Sequence, residues 1–208
     1  MTNNTKERAS SMIKIVFATG NPHKIEELTE ITKSLGVKDI EFVLPPKGFD
    51  PIETGETFEE NSLIKAQEAN KLTKMISLAD DSGLCTEALD DAPGIHSARY
   101  AETPQARIDK LLNALKNETN RNAKFVCVMT LLDENGEVLT QERGECLGEI
   151  TKKQSGINGF GYDPVFLVKN TSQTMAEMSE KEKNQISHRG LALRKILKYL
   201  EKNTKKQQ

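Results

Sequence analysis

The sequence predicts an α/β fold with a mixed sheet. Strand-like and helix-like patterns alternate along most of the 208 residues. The first of them form a strand, a tight turn and a helix in direct succession, the unit that builds parallel sheets. One Asn-Gly hairpin signal, Asn135-Gly136, joins two further strand patterns and adds antiparallel pairing.

Each element follows from local chemistry. Ile13 to Thr19 is a continuous apolar run of the buried-strand type. Asn21 is a good N-cap, and Pro22 fits a first helical turn, where its missing N–H costs nothing. Ile25, Leu28, Ile31 and Leu35 then recur at helical spacing, and Gly36 is a stop. Ile40 to Leu44 reads as a second strand ended by Pro45-Pro46. Phe58 to Thr73 reads as a helix with Leu63, Ala66 and Ala69 on one side. Ile76 to Ala79 reads as a short strand running into a turn at Asp80-Asp81-Ser82-Gly83, with another short strand from Leu84 to Leu89. Thr103-Pro104 repeats the cap-then-proline start, and Ile108, Leu111, Leu112 and Leu115 continue it. Phe125 to Leu132 and Val138 to Glu149 are the arms of the hairpin. Val165 to Val168 is the last strand. Ser179-x-x-Glu182 is a capping box, and Leu193, Ile196, Leu197 and Leu200 line a final amphipathic helix.

No repeat and no Pro/Gly/Ser-rich linker divides the chain. The expected organisation is a solvated lead (1–11), one domain (12–202) and a Lys/Gln-rich tail (203–208). With 29 Lys and Arg against 31 Asp and Glu, the net charge is −2. That excludes a broad basic nucleic-acid surface and an acidic disordered chain. No apolar run approaches the roughly 18–20 residues of a membrane span, and no signal-peptide core is visible. Cys85, Cys127 and Cys146 are widely spaced, as are His23, His96 and His188, so no zinc pattern exists. A reducing, cytoplasmic setting is expected.

Four clusters could carry chemistry. Thr19-Gly20-Asn21-Pro22-His23-Lys24 exposes backbone N–H groups at a helix start, which favours an anion. Taken by itself it is an ordinary capped turn, and it is not a P-loop. Glu53-Thr54-Gly55-Glu56, Glu59-Glu60 and Lys65 form a charged stretch, of which Glu56, Glu59 and Glu60 read as a solvated face. Asp80-Asp81-Ser82-Gly83 places two carboxylates at the end of an apolar strand, where α/β folds put their sites. Neighbouring strand residues point to opposite faces, so both reach one site only if the strand turns there. A site and a plain Asx turn both stay open. Ser155 to Pro164 gathers Gly156, Gly159 and Gly161 around Phe160 and Tyr162, which suits a stacking platform for a flat ligand. Lys183 and Ser187-His188-Arg189-Gly190 suit phosphate or carbonyl-oxygen recognition, although His188 alone reads as a structural cap.

Read together, TGNxxK, ETGxTFxEN with a following Lys, ADDSGL, PGIxSARY, GFGYDPxF and ISHRG occur in this order from about Ile13 to Leu200. The set resembles the inosine/xanthosine triphosphate pyrophosphatases. The resemblance implies an elongated central sheet flanked by helices, with two lobes and the active site in the cleft between them. It implies a homodimer, a purine nucleoside triphosphate substrate and Mg²⁺ as cofactor, with no nucleic-acid or membrane partner. Thr19, Gly20, Asn21 and Lys24 then correspond to the triphosphate turn, and Lys65 to a further phosphate contact. Glu53 and Asp81 correspond to metal ligands, Asp81 also to the proton acceptor, with Asp80 beside it as a second catalytic carboxylate. Ser82 corresponds to a substrate contact. Phe160, Gly161, Tyr162 and Asp163 correspond to the base-binding segment, and Lys183, His188 and Arg189 to the remaining nucleotide contacts.

The implied reaction is hydrolysis of ITP, dITP and XTP to monophosphate and pyrophosphate. These bases carry an oxygen at C6, an acceptor, where adenine carries an amino donor. A buried donor aimed there, from Arg189 or a backbone N–H, would reject adenine. The competing readings are a pyrophosphatase for other modified nucleotides and a non-catalytic nucleotide sensor.

Overall fold

The computed structural model describes residues 12–204, so the expected lead and residues 205–208 lie outside the described part of the chain. Six strands form one sheet: β1 (Ile13–Phe17), β2 (Ile40–Val43), β3 (Ser77–Thr86), β4 (Asn122–Leu132), β5 (Val138–Ile150) and β6 (Phe166–Val168). Their order is β2-β1-β3-β4-β5-β6. The β1 pairings with β2 and β3 are parallel, and the rest are antiparallel. This is the expected mixed sheet.

The helices are α1 (Pro22–Ser34), α2 (Phe58–Thr73), α3 (Pro104–Ala114), α4 (Glu180–Ile186) and α5 (His188–Thr204). Their starts are capped as their sequences demand. Asn21 accepts from the His23 N–H, and Thr103 from that of Ala106. Ser179 and Glu182 cap each other reciprocally. α5 runs to Thr204, into the stretch read from sequence as tail.

The stretch around Asp80 departs from expectation. Asp80-Asp81-Ser82-Gly83 is not a turn. It lies inside β3, which pairs with β4 without a break from Ser77↔Leu132 to Thr86↔Ala123. The ladder to an apolar partner strand outweighs the local turn preference of these residues. Gly83 serves close packing instead. A Cβ there would lie 2.1 Å from the Gly94 carbonyl oxygen and 2.7 Å from Ser97 Oγ, in the short 3₁₀ segment Gly94–Arg99.

The long strands carry apolar clusters at each end. One joins β1, α1 and α5 through Phe17, Leu28, Ile31, Leu78, Met129 and Ile196. Another joins Leu84, Leu111, Leu115, Phe125, Ile150 and Phe166 further along the same strands. On the opposite sheet face, α2 packs Ala66 and Ala69 against Val16, Ala18 and Ala79. The carboxylates of β3 fall between Leu78 and Leu84, where β1 has already ended. The last β1-side hydrogen bond to β3 runs from Ala18 N to Leu78 O at 2.7 Å. β1 leads through α1 to β2 on one side, while β3 lies on its other side. The crevice beyond the β1 end is thus a topological switch point, where open α/β sheets bind ligands.

Candidate active site

The pleat of β3 sends its two aspartates to opposite faces. Asp80 faces α1 and α5. Lys24, one turn into α1, places its Nζ 2.9 and 3.0 Å from the Asp80 oxygens. The Arg189 Nε and Nη2 each lie 3.3 Å from Asp80 Oδ2, and Arg189 Nη2 also reaches Ser82 Oγ at 3.2 Å. A further Arg189 nitrogen pairs with Glu27 of α1. Asp80 and Arg189 are each 1% exposed. Burial alone would raise the Asp80 pKa, but the Lys24 and Arg189 charges hold it well below the usual carboxylate range.

Asp81 faces α2. Lys65 Nζ lies 2.8 Å from Asp81 Oδ1 and 2.6 Å from Glu53 Oε1. The second Glu53 oxygen accepts from Arg99 at 2.9 Å. Asp81 Oδ2 is buried and has no hydrogen-bond partner among the described residues. Burial, reinforced by Glu53 and Asp80, raises the Asp81 pKa despite Lys65. Burial opposes the charge on Lys65, but Asp81 and Asp80 raise its pKa overall. Glu53 is pushed up by burial, yet Lys65 and Arg99 lower it on balance. Glu53 stands on an irregular segment fixed to the start of α2. The Gly55 N–H donates to Asn61 Oδ1 at 2.9 Å, and a Cβ on Gly55 would lie 2.6 Å from that of Glu60.

Beside the Asp80 face, the Thr19–Lys24 turn differs from the expected cluster of exposed N–H groups: the Thr19 and Lys24 N–H groups go to the Phe17 and Asn21 carbonyls and that of His23 to the Asn21 side chain. The Asn21 N–H donates to Thr19 Oγ1 at 3.1 Å, and Gly20 is exposed at the mouth of the crevice. The glycine-rich loop supplies the far wall. Phe160 is 46% exposed, with Lys183 Nζ 4.7 Å from its ring centroid and the Arg189 guanidinium 6.0 Å away. Asp163 accepts from the Phe160 N–H at 2.9 Å and from Lys183 at 2.6 Å. Gly161 has a positive φ of 63°, and Gly159 leaves room for the Asp163 carboxylate. A pocket of about 210 Å³ opens between α1, this loop and α4, lined by Glu27, Glu30, Asn158, Phe160, Lys183 and Asn184.

Two residues expected to touch the nucleotide, Tyr162 of the base segment and His188 of the remaining contacts, are placed away from this pocket's surface. Tyr162 is turned into the core and donates its hydroxyl to the Ser97 carbonyl at 2.9 Å. His188 is buried and stacks on Phe125 with centroids 4.9 Å apart and ring planes 14° apart. Burial, then the Arg189 and Lys183 charges, lower its pKa, so it is neutral at pH 7. Three residues that hold this arrangement carried no role in the sequence reading. Glu27 anchors Arg189, Arg99 anchors Glu53, and Ser97 Oγ accepts from the Leu84 N–H at 2.8 Å. For Glu27 the signal was its place one helical turn beyond Lys24. For Arg99 and Ser97 it was the PGIxSARY motif itself.

Among the described residues, no group of three or more His, Cys, Asp or Glu side chains gathers at metal-binding spacing. A closed, all-protein metal cage is therefore absent there. Glu53 and Asp81 do fit a metal that completes its shell with phosphate oxygens and water. They are hard oxygen donors on one side of the crevice, and one of their oxygens is buried and unpartnered. Mg²⁺ is commonly held by one or two carboxylates plus substrate phosphates.

Residues 15–199 match the Ham1 family. A dITP/XTP pyrophosphatase of Treponema denticola is 45% identical over 198 residues, covering 90% of this chain and 98% of that protein. One from Synechocystis is 42% identical over 186 residues, covering 89% and 94%. The solved HAM1 protein of Coxiella burnetii superposes with a TM-score of 0.82 at 42% identity, covering 92% of this chain and all of that one.

Proposed function

The chain belongs to the Ham1 family, and we propose that it hydrolyses dITP, ITP and XTP to the nucleoside monophosphate and pyrophosphate. The observation that carries this reading is the Glu53–Lys65–Asp81 group at the mouth of the switch-point crevice, with its buried unpartnered Asp81 oxygen. The names of the similar proteins supply the substrate class.

Glu53 and Asp81 would hold Mg²⁺, which supplies charge neutralisation at the phosphates. The start of α1 offers the positive end of its dipole to the triphosphate, most N–H groups of the Thr19–Lys24 turn being spent within the turn. Lys65 stands between Glu53 and Asp81 as the cation nearest the metal ligands. Asp81 would accept a proton from the water that attacks the α-phosphorus. Pyrophosphate leaves with the electrons of the broken α–β anhydride bond. Alignment and charge neutralisation then account for most of the rate.

The purine stacks on the exposed ring of Phe160. Arg189 is spent on Glu27, Asp80 and Ser82, so Lys183 becomes the donor for the C6 oxygen. It stands at the Phe160 ring and has hydrogens beyond the one given to Asp163. An adenine amino group would meet that ammonium donor to donor.

In the cell this activity would clear deaminated purines from the nucleotide pool. The proposed setting is a cytoplasmic homodimer. The family resemblance supports the dimer, and three buried, unpaired cysteines suit a reducing compartment. No helix among the described residues is long and apolar enough to cross a membrane. The test is a panel of dITP, XTP, GTP and ATP with and without Mg²⁺, scored for pyrophosphate. Mg²⁺-dependent pyrophosphate release from dITP and XTP, far above ATP, is expected. Equal rates for ATP and dITP would overturn the reading. Sedimentation velocity checks the dimer.

A further inference from the structure

Lys65 sits between the two carboxylates assigned to the metal. Its Nζ contacts Glu53 Oε1 at 2.6 Å and Asp81 Oδ1 at 2.8 Å, and the residue is 9% exposed. Arg99 takes the second Glu53 oxygen from the rim, where its side chain is largely open to water. Asp81 Oδ2 is therefore the one oxygen of the pair with no cation on it.

A divalent ion held by both side chains must take an oxygen of Glu53 from Lys65 or Arg99. Mg²⁺ needs its oxygens at about 2.0–2.1 Å. Two cations sharing these oxygens in a buried site repel strongly, because little water screens them. Lys65 touches both carboxylates whereas Arg99 touches Glu53 alone, so Lys65 is the cation that most directly opposes an ion held by the pair.

The charges on this face already balance. Lys65 and Arg99 offset Glu53 and Asp81 one for one. A divalent ion entering alone makes the site net positive. A triphosphate entering alone makes it net negative. Entering together, the metal satisfies the carboxylates, and the released Lys65 meets phosphate.

We infer that Lys65 is a stand-in cation, which holds the Glu53–Asp81 pair closed, keeps free divalent metal out, and yields the carboxylates only when metal and a nucleoside triphosphate arrive together. Metal and nucleotide binding are then positively coupled, and Lys65 is the element that couples them. This rests on the metal assignment made under the proposed function.

The test titrates nucleotide-free protein with Mn²⁺, followed by electron paramagnetic resonance. Lys65→Met, and Lys65→Gln as a second variant that keeps a polar partner for the carboxylates, should bind Mn²⁺ at least about tenfold more tightly than the wild type. Circular dichroism confirms that the variants are folded. In the wild type, the thermal shift with Mn²⁺ plus an α,β-methylene analogue of ITP should exceed the sum of the separate shifts. Folded Lys65 variants that bind Mn²⁺ no tighter than the wild type overturn the inference, as do additive shifts. If Glu53→Gln and Asp81→Asn abolish Mn²⁺ binding while Lys65→Met gains none, the stand-in role fails and the metal ligands stand. Mn²⁺ binding indifferent to Glu53→Gln and Asp81→Asn overturns both.

Discussion

Asp80 and Asp81 are neighbours in one strand, yet their surroundings differ in kind. Asp80 is saturated, with Lys24 on both oxygens and Arg189 and Ser82 on one of them. Asp81 shares one oxygen with Lys65 and leaves the other unpartnered in a buried position. Their pKa values accordingly move in opposite directions, down for Asp80 and up for Asp81. A satisfied buried carboxylate is a structural support, because its charge is already spent. An unsatisfied one holds free energy that a proton, a metal or a substrate can release. The strand pleat separates these two jobs at no cost in sequence length.

Substitutions should expose that division, and the largest effect is expected at Asp81. Asp81→Asn should lower kcat for dITP by about 10²–10⁴-fold, the range of a lost general base, while folding normally. Asp80→Asn comes next and acts mainly on stability. It strips a buried anion from Lys24 and Arg189, and leaving buried charge uncompensated costs about 3–5 kcal/mol, read by urea denaturation.

Acid titration of stability should separate the same two residues by sign. The folded-state pKa of Asp80 lies below its ordinary 3.8, so its contribution is present above that value. It is lost as pH falls from there through the folded pKa. Asp80→Asn should remove this acid limb. Asp81 has the opposite sign, since its raised pKa means that its charged form costs stability at neutral pH. Asp81→Asn also leaves the buried Lys65 with Glu53 as its remaining partner, so it should lower Tm at pH 7 by less than Asp80→Asn does. A loss as large as that of Asp80→Asn would show that Asp81 is a support too.

Two smaller effects sharpen the contrast within the glycine-rich loop. Phe160→Ala should raise KM for dITP by about five- to 150-fold, the value of about 1–3 kcal/mol for base stacking, with a lesser effect on kcat. Tyr162→Phe should leave kcat/KM unchanged and cost about 1 kcal/mol of stability, the worth of its hydrogen bond to the Ser97 carbonyl.

Helix starts were the most legible feature of the sequence, because caps are local. Asn21-Pro22, Thr103-Pro104 and Ser179-x-x-Glu182 each stand where a helix begins. The Asp80 stretch was misread as a turn for the converse reason. Asp, Ser and Gly are turn residues by local preference, and nothing near them in sequence reveals the partners that hold a strand there. Those partners are the β4 ladder, Lys24 from α1, Lys65 from α2 and Arg189 from α5. Which aromatic of the GFGYD segment faces the crevice was equally closed to pattern reading. It depends on the positive φ of Gly161 and on the distant Ser97 carbonyl that claims Tyr162. Arg99 and Glu27 escaped because each acts through another side chain, Glu53 and Arg189, that lies far from it in sequence.

The division of labour in β3 is tested most directly by steady-state dITP hydrolysis with Mg²⁺, scored for pyrophosphate, in the wild type and in Asp81→Asn. Pyrophosphate is expected from the wild type, and from folded Asp81→Asn a kcat at least about a hundredfold lower. Orthophosphate as the wild-type product, or wild-type turnover in Asp81→Asn, would contradict that division.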